Sequence, residues 1–445
     1  MDKKKFYIET YGCQMNFSDS EIASSVMIKN NYEITDNPKQ ADIILINTCS
    51  VRDNAEQRVR NRLKNLTPLK KKKKDLIIGI IGCMAERIKE KLFEEEKKID
   101  IVAGPDAYRN LPELIETAVK KLKAINVKLS CEETYDDIIP FKVESKGISA
   151  FISIMRGCEN FCSYCVVPFT RGKERSRNPE TIIKEAKKLF ANGYREIILL
   201  GQNVNSYKWN SNFGFTNLIE LVAEISPLLR VRFTTSHPKD LTDDLLYVIL
   251  RNKNICRHIH LPLQSGSTKI LNLMNRKYSR EWYLNRIEAI KKIIPGCSVT
   301  TDIICGFCTE NEEDHENTIS LMETAGFDYA YMFKYSERPD TPASKKYKDD
   351  VPEEIKLKRL QEIISLQRKL SHKSNINDLN KTFEVLIEGE SKKNKNNFYG
   401  RNSQNKIVIF PKYENKNSSE KYQIGDYINI KIKGCTSATL RGELV

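Results

Sequence analysis

Along most of this chain a short apolar run is followed by a stretch of helical periodicity, and that alternation limits the fold more than any other feature. Lys5–Gly12 runs into Cys13, Asp42–Thr48 into Cys49 and Leu76–Gly82 into Cys83. The last two runs are continuously apolar, as in strands buried on both faces of a parallel sheet. Right-handed crossovers bring the carboxyl ends of parallel strands to one edge. Cys13, Cys49 and Cys83 therefore become neighbours and can hold a metal centre, although any one of them alone reads as a small buried hydrophobe. Ser18 with Glu21 predicts a capping box opening the first helix. A fourth strand, Ile101–Ala103, ends at Gly104-Pro105, and a helix from Leu111 to Lys123 is expected to close the domain. The five lysines from Lys70 to Lys74 read as a solvated loop. Residues 126–147, with Glu132, Glu133, Asp136 and Asp137, read as a linker.

From Phe151 the alternation restarts and recurs six times, with strands expected at Phe151–Ile154, Ile197–Leu200, Val231–Thr235, His258–Leu261, Val299–Ile304 and Tyr329–Phe333. Asn178-Pro179 supplies an N-cap and a first-turn proline. Six units are too few to close an eight-stranded barrel, so the pattern predicts a partial (β/α)6 barrel open on one side. The polar groups at its strand ends are Gly201-Gln202-Asn203, Ser236-His237-Pro238, Gln264-Ser265-Gly266-Ser267 and Gly306. A helix from Glu353 to His372 is expected to pack on the barrel through Leu360, Ile363, Ile364, Gln367 and Leu370. The remaining residues switch to short alternating strands, Thr382–Glu388, Lys406–Phe410 and Tyr427–Lys433, predicting a small OB-like β-barrel. The expected fold class is thus α/β: a parallel-sheet domain over 1–125, a linker over 126–147, a partial barrel with its helix over 148–374, and a terminal β-barrel over 375–445.

Cys158, Cys162 and Cys165 lie in a short loop directly after the first barrel strand. Thiolates suit zinc or iron–sulfur, and three of them leave a tetrahedral or cubane site one ligand short, an opening that points to chemistry. A structural zinc loop would need a fourth ligand, and the next histidine is His237. Cys305 and Cys308 resemble a redox pair but divide between a strand end and the lead-in to a helix. Cys131, Cys256, Cys297 and Cys435 are scattered, and His258, His260 and His315 read as structural. The amino terminus has no apolar signal region and no run is long enough to span a membrane, so a cytoplasmic, reduced setting is expected. There, clustered cysteines among the 12 present bind metal more often than they cross-link. The formal charge of +14 favours a polyanionic partner.

The string Gly157 to Pro168, continuing through Phe169-Thr170-Arg171-Gly172-Lys173-Glu174-Arg175-Ser176-Arg177, resembles the methylthiotransferases of the radical S-adenosylmethionine (SAM) superfamily. The resemblance implies that Cys158, Cys162 and Cys165 hold a [4Fe–4S] cluster whose fourth iron is chelated by SAM. Thr10 to Asn16 and Asn47 to Arg52 resemble the amino-terminal domain of that family, which implies an auxiliary [4Fe–4S] cluster on Cys13, Cys49 and Cys83. It further implies SAM contacts from Gln202 and Asn203, from Tyr164 near the adenine, and from Ser236 and Gln264. Tyr335 to Ala343 resembles the family's strand-to-linker motif with Asp340 in place of glycine, and Cys308, Thr309 and Asn311 depart from the pattern after the fifth strand. Gly400-Arg401-Asn402, Gly425-Asp426-Tyr427 and Leu440-Arg441-Gly442 resemble a TRAM domain, with Phe398, Tyr399, Arg401, Lys406 and Arg441 as its expected RNA surface.

Gly201 to Tyr207 looks like the tRNA branch of the family. The implied reaction is insertion of a methylthio group at carbon 2 of N6-isopentenyladenosine at tRNA position 37, by a monomer served by unidentified electron and sulfur donor proteins, with no membrane partner. Two alternatives stay open: a methylthiotransferase acting on a ribosomal protein or another modified adenosine, and a zinc-stabilised RNA-binding protein without catalysis.

Overall fold

The computed structural model describes residues 3–50, 53–142, 147–412 and 422–445. Val51 and Arg52 of the amino-terminal motif, and 143–146 of the expected linker, lie outside these residues. The first sheet is wholly parallel, its strands running in the order Glu33–Ile34, Lys5–Tyr11, Ile43–Thr48, Ile77–Gly82, Ile101–Ala103 and Ala124–Asn126. Ile43–Thr48 and Ile77–Gly82 are buried along their whole length, between helices on both faces, as their continuous apolar character requires.

Three local expectations are corrected. The first helix, Gln14–Lys29, starts at an N-cap of Cys13, so Ser18 is a buried mid-helix residue and no capping box forms there. The lysine run does not begin a loop, because Lys70 to Lys72 are the last turn of the helix Asp53–Lys72. Lysines there complement the helix dipole; Lys70 pairs with Asp100, and Lys73 lies 2.6 Å from Asp42. The helix near 111–123 stops at Val119, and the chain adds a sixth strand before leaving the sheet. Beyond that strand the described residues of the expected linker carry no helix or strand, and Tyr135 anchors them. Tyr135 is 1 % exposed, its hydroxyl donates to Pro105 O at 3.0 Å, and the Arg156 guanidinium lies over its ring.

The barrel strands are Ser149–Ser153, Glu196–Leu200, Arg230–Phe233, His258–His260, Ser298–Cys305 and Tyr329–Lys334. They form two parallel three-stranded sheets, linked by a bridge from Val231, in the edge strand Arg230–Phe233, to Ile255, just before His258–His260. Ile197, Leu199, Val231, Phe233, Val299 and Ile303 face the surrounding helices in one large core. Residues of opposite parity face the concave side. The Asn178 side chain caps the helix Pro179–Ala191 as its sequence predicts. The long helix Glu353–Ile376 buries Ile363 in the core, and its Gln367 donates to Phe327 O.

Five antiparallel and parallel strands, Thr382–Glu390, Asn397–Asn402, Ile407–Pro411, Leu440–Leu444 and Tyr427–Cys435, close the terminal barrel in that order. Two expected RNA-facing residues are turned inward instead. Arg401 reaches Glu196 at 2.7 Å and Glu388 at 2.6 Å, and Lys406 reaches Asp378 and Ser374, each at 2.7 Å. Arg230 and Arg232, at the amino ends of the third barrel strand, donate to Arg401 O and Asn402 O, and Arg232 also pairs with Glu196. The turn after Arg401 therefore covers the floor of the half barrel. Arg441 stays exposed, and Phe398 packs partly into the terminal core.

Candidate active site at the meeting of two strand edges

The loop carrying Cys158, Cys162 and Cys165 is pinned at its base by a two-residue antiparallel ladder, Met155 to Ser176 and Arg156 to Arg175. Gly157 adopts φ +81, and a Cβ there would run into the carbonyl of Lys173, so only glycine allows the crossing. Its N–H donates to Gln202 Oε1 at 2.5 Å, which ties the loop to the end of the second strand. The far side is held by Ser163, whose N–H donates to Met274 O at 3.0 Å and whose carbonyl accepts from Ala343 N at 2.7 Å.

Each thiol has an N–H neighbour: Asn160 Nδ2 at 3.4 Å from Cys158, Arg276 Nη1 at 3.3 Å from Cys162, and Val167 N at 3.5 Å from Cys165. Burial pushes the Cys158 thiol up to about 11. Burial, together with the neighbouring Cys162, pushes Cys165 up to about 12. Desolvation thus disfavours the charged form of Cys158 and Cys165, and a bound cationic centre is what deprotonates such thiols outright.

The strand registers Tyr11 to Thr48 and Thr48 to Gly82 bring Cys13, Cys49 and Cys83 to one edge of the first sheet. Gly12, at φ +142, packs directly on Cys49 Cβ. A buried amide pair holds this edge: Asn16 Nδ2 donates to Asn47 Oδ1 at 3.0 Å, Asn47 Nδ2 returns to Asn16 O at 2.9 Å, and Asn16 Oδ1 accepts from the Cys13 thiol at 3.1 Å. The hydrogen bond from Cys49 pulls the Cys13 thiol down to about 6, while burial raises Cys83. None of the six cysteines forms a disulfide. Among the described residues no three His, Cys, Asp or Glu side chains converge as ligands of a single metal ion.

Arg171, in the short helix Val167–Arg171 just after Cys165, joins the two edges. Its Nε donates to Cys83 Sγ at 3.2 Å and its Nη2 to Asp19 Oδ2 at 2.6 Å. Arg156 takes the other oxygen of Asp19 at 2.9 Å, and Arg175 pairs with Asp106 at 2.7 Å. Burial alone would raise the Asp19 carboxyl, but Arg156 and Arg171 hold it below its usual range. Met15 of the first helix packs on Ile198 and Leu200. The carboxyl edge of the first sheet is therefore laid against the carboxyl mouth of the half barrel.

The residues with expected SAM contacts sit around this mouth, most with their polar atoms already engaged. Asn203 is buried and bridges Asp240 Oδ2 and His237 N. Ser236 Oγ bonds Asn205 Oδ1 at 3.1 Å, and Tyr164 OH accepts from Arg276 at 3.4 Å. Gln264 differs: its backbone is at φ +74 and its buried Oε1 has no hydrogen-bond partner among the described residues. Arg171, Asp19, Arg156 and Arg276 had no place among the sequence-level candidates; three stand next to cysteine motifs or loop ends, but no spacing links them. Cys305 and Cys308 are buried in separate apolar clusters, with the Cys305 thiol donating to Phe333 O. A cavity of about 320 Å³ between the hairpin at 208–214 and Thr242 lies away from the cysteines.

A half barrel whose first strand leads into a three-cysteine loop at its mouth defines a radical-SAM protein, and residues 152–322 match the Radical SAM superfamily. Residues 5–104 match the Uncharacterized protein family UPF0004, and residues 378–445 match the TRAM domain. The chain belongs to the tRNA-2-methylthio-N(6)-dimethylallyladenosine synthase family. It is 54 % identical to the Bacteroides fragilis (strain YCH46) protein of that name, over 100 % of this chain and 96 % of that protein. It is 53 % identical to the one from Amoebophilus asiaticus, over 99 % of this chain and 92 % of that protein. Among solved structures, the radical SAM methyltransferase TsrM from Kitasatospora setae superposes with a TM-score of 0.58 at 13 % identity, over 77 % of this chain and 75 % of that one. The cobalamin-dependent radical enzyme OxsB gives 0.54 at 14 % identity, over 82 % and 56 %. At these identities the two share a fold with this chain.

Proposed function

We propose that this enzyme inserts a methylthio group at carbon 2 of N6-isopentenyladenosine at position 37 of tRNA. The observation that carries this reading is the Arg171 bridge, which ties the helix following Cys165 to Cys83 and Asp19 of the first domain. The target C–H has no acidic proton for a side-chain base to remove, so the difficult step belongs to a cofactor. When bound, a [4Fe–4S] cluster with SAM supplies one-electron chemistry, and a second cluster supplies a place for sulfur. Cys158, Cys162 and Cys165 are the ligands proposed for the first, and Cys13, Cys49 and Cys83 for the second.

The remaining residues bind, orient and exclude water. Gln202 and Gly157 fix the entry of the cysteine loop, and Ser163 fixes its far side. The unpartnered Oε1 of Gln264 is the acceptor offered to a polar SAM group, with Asn203, Ser236 and Tyr164 shaping the walls around it. Asn16 and Asn47 hold the auxiliary edge. The division that goes with these roles is 1–125 for the auxiliary domain, 126–147 for the connection, 148–374 for the radical-SAM core and 375–445 for RNA binding. The reading as a zinc-stabilised RNA binder is set aside by membership in an enzyme family. No helix among the described residues is long and apolar enough to cross a membrane.

The test is anaerobic purification followed by iron analysis and reaction with tRNA carrying N6-isopentenyladenosine. About eight irons per chain are expected for two cubanes and about four for one. Nucleoside mass spectrometry should show the methylthio product. Its absence from a preparation that holds iron and cleaves SAM would refute the assignment.

A further inference from the structure

The strand Tyr329–Lys334 is the last of the half barrel and, among the described residues, pairs only with Ser298–Cys305. Ala330 and Met332 pack with the helices, so Tyr329, Tyr331 and Phe333 face the concave side. They are 47, 48 and 38 % exposed. Their cross-strand neighbours are Thr300, Asp302 and Ile304. Ile304 shares an apolar cluster with Tyr164 of the cysteine loop, so the aromatic row climbs toward that loop.

On the first of the two barrel sheets the concave side is occupied. Met15 covers Ile198 and Leu200, while Glu196, Arg230 and Arg232 are engaged by the terminal barrel. Just beyond the row, the short helix Pro342–Lys346 carries exposed Lys345 and Lys346 and is tied to the cysteine loop through Ala343 N and Ser163 O. Contiguous exposed aromatics mark an interaction surface. Flat rings beside exposed lysines suit unpaired bases followed by phosphates.

Resting on the tRNA reading above, we propose that Tyr329, Tyr331 and Phe333 form the platform on which unpaired bases of the RNA substrate stack, with the phosphates directed to Lys345 and Lys346. Tyr331, at the centre of the row, touches Tyr329 edge-on at 5.1 Å and His260 at 5.8 Å.

The test uses the reconstituted holoenzyme and an anticodon stem-loop RNA with 2-aminopurine in its loop. Binding should quench the probe, as stacking does. Tyr331→Ala should relieve the quenching and weaken binding about 5- to 150-fold, the range for one lost base–aromatic stack. Tyr331→Phe should restore both, and binding of duplex RNA should be unaffected by either change. Unaltered hairpin affinity in a Tyr331→Ala/Phe333→Ala double variant whose melting temperature matches the wild type would overturn the platform, as would equal losses for duplex and hairpin. Wild-type protein that binds neither RNA defeats the platform and the tRNA reading together. Tight, quenched binding without methylthio product sustains the platform and defeats only the reaction.

Discussion

Arg171 carries two jobs that its position in the sequence does not reveal. It is buried, its charge is shared between Asp19 and the Cys83 thiol, and its contact with Asp19 spans 152 positions. Removing one partner from such a network leaves a buried charge undercompensated, at a cost of about 3–5 kcal/mol. Arg171→Ala should accordingly lower the unfolding midpoint in urea and release the first sheet to early proteolysis. Arg171→Lys should rescue little, because a single ammonium cannot reproduce the two-way fork. At the cysteines, Cys158→Ala should abolish SAM cleavage, whereas Cys13→Ala should preserve cleavage and eliminate thiolated nucleoside; retained product would remove Cys13 from the mechanism. The cysteines were visible in the sequence because three fall in one loop and three follow strands. The arginines were not, since a charge in a motif does not announce a partner a hundred residues away.

At the scale of elements, the strands were legible because period and apolarity are local, whereas partners of charged side chains are tertiary facts. Lys70 and Lys73 prolong a helix and its first turn beyond because Asp100 and Asp42 wait for them. Arg401 and Lys406 read as RNA contacts for the same reason: composition shows their sign and hides Glu196 and Asp378. Glu196 is the hub of that docking. Burial works to raise its carboxyl, but Arg232 and Arg401 outweigh it and hold it down to about 2. A depressed carboxyl adds stability that is present above its unfolded value near 4.5 and is lost as pH falls toward 2; the shift corresponds to on the order of 3 kcal/mol. The wild type should therefore weaken steeply between pH 4.5 and 2, and Glu196→Gln should start weaker at neutral pH with a flatter profile. Equal profiles by circular dichroism would show that the hub is not ionised as described.

For the molecule as a whole, ion pairs and buried amides join the three lobes: Arg171 and Asp19 at the mouth, Arg401 and Glu196 at the floor. A detachable RNA-binding appendage would leave the core intact when removed. Here truncation from Asn375 onward strips Arg230, Arg232 and Glu196 of their covering turn. The truncated chain should melt lower than the full-length protein in the radical-SAM core itself, in addition to losing affinity for tRNA. An unchanged core transition by calorimetry would refute the coupling. The lobes and their order were readable from repeating units and from the switch to short strands; their mutual packing was not, because it rests on contacts that no periodicity encodes.

Glu196 and Arg401, one of the two arginines that neutralise it, are 205 residues apart. During synthesis at about 5–20 residues per second, the half barrel emerges with that carboxylate and its two flanking guanidiniums open to water for ten seconds or more. The half barrel thus gains these floor contacts only after its last module has left the ribosome, and a chain cut short near its end should carry a weaker core.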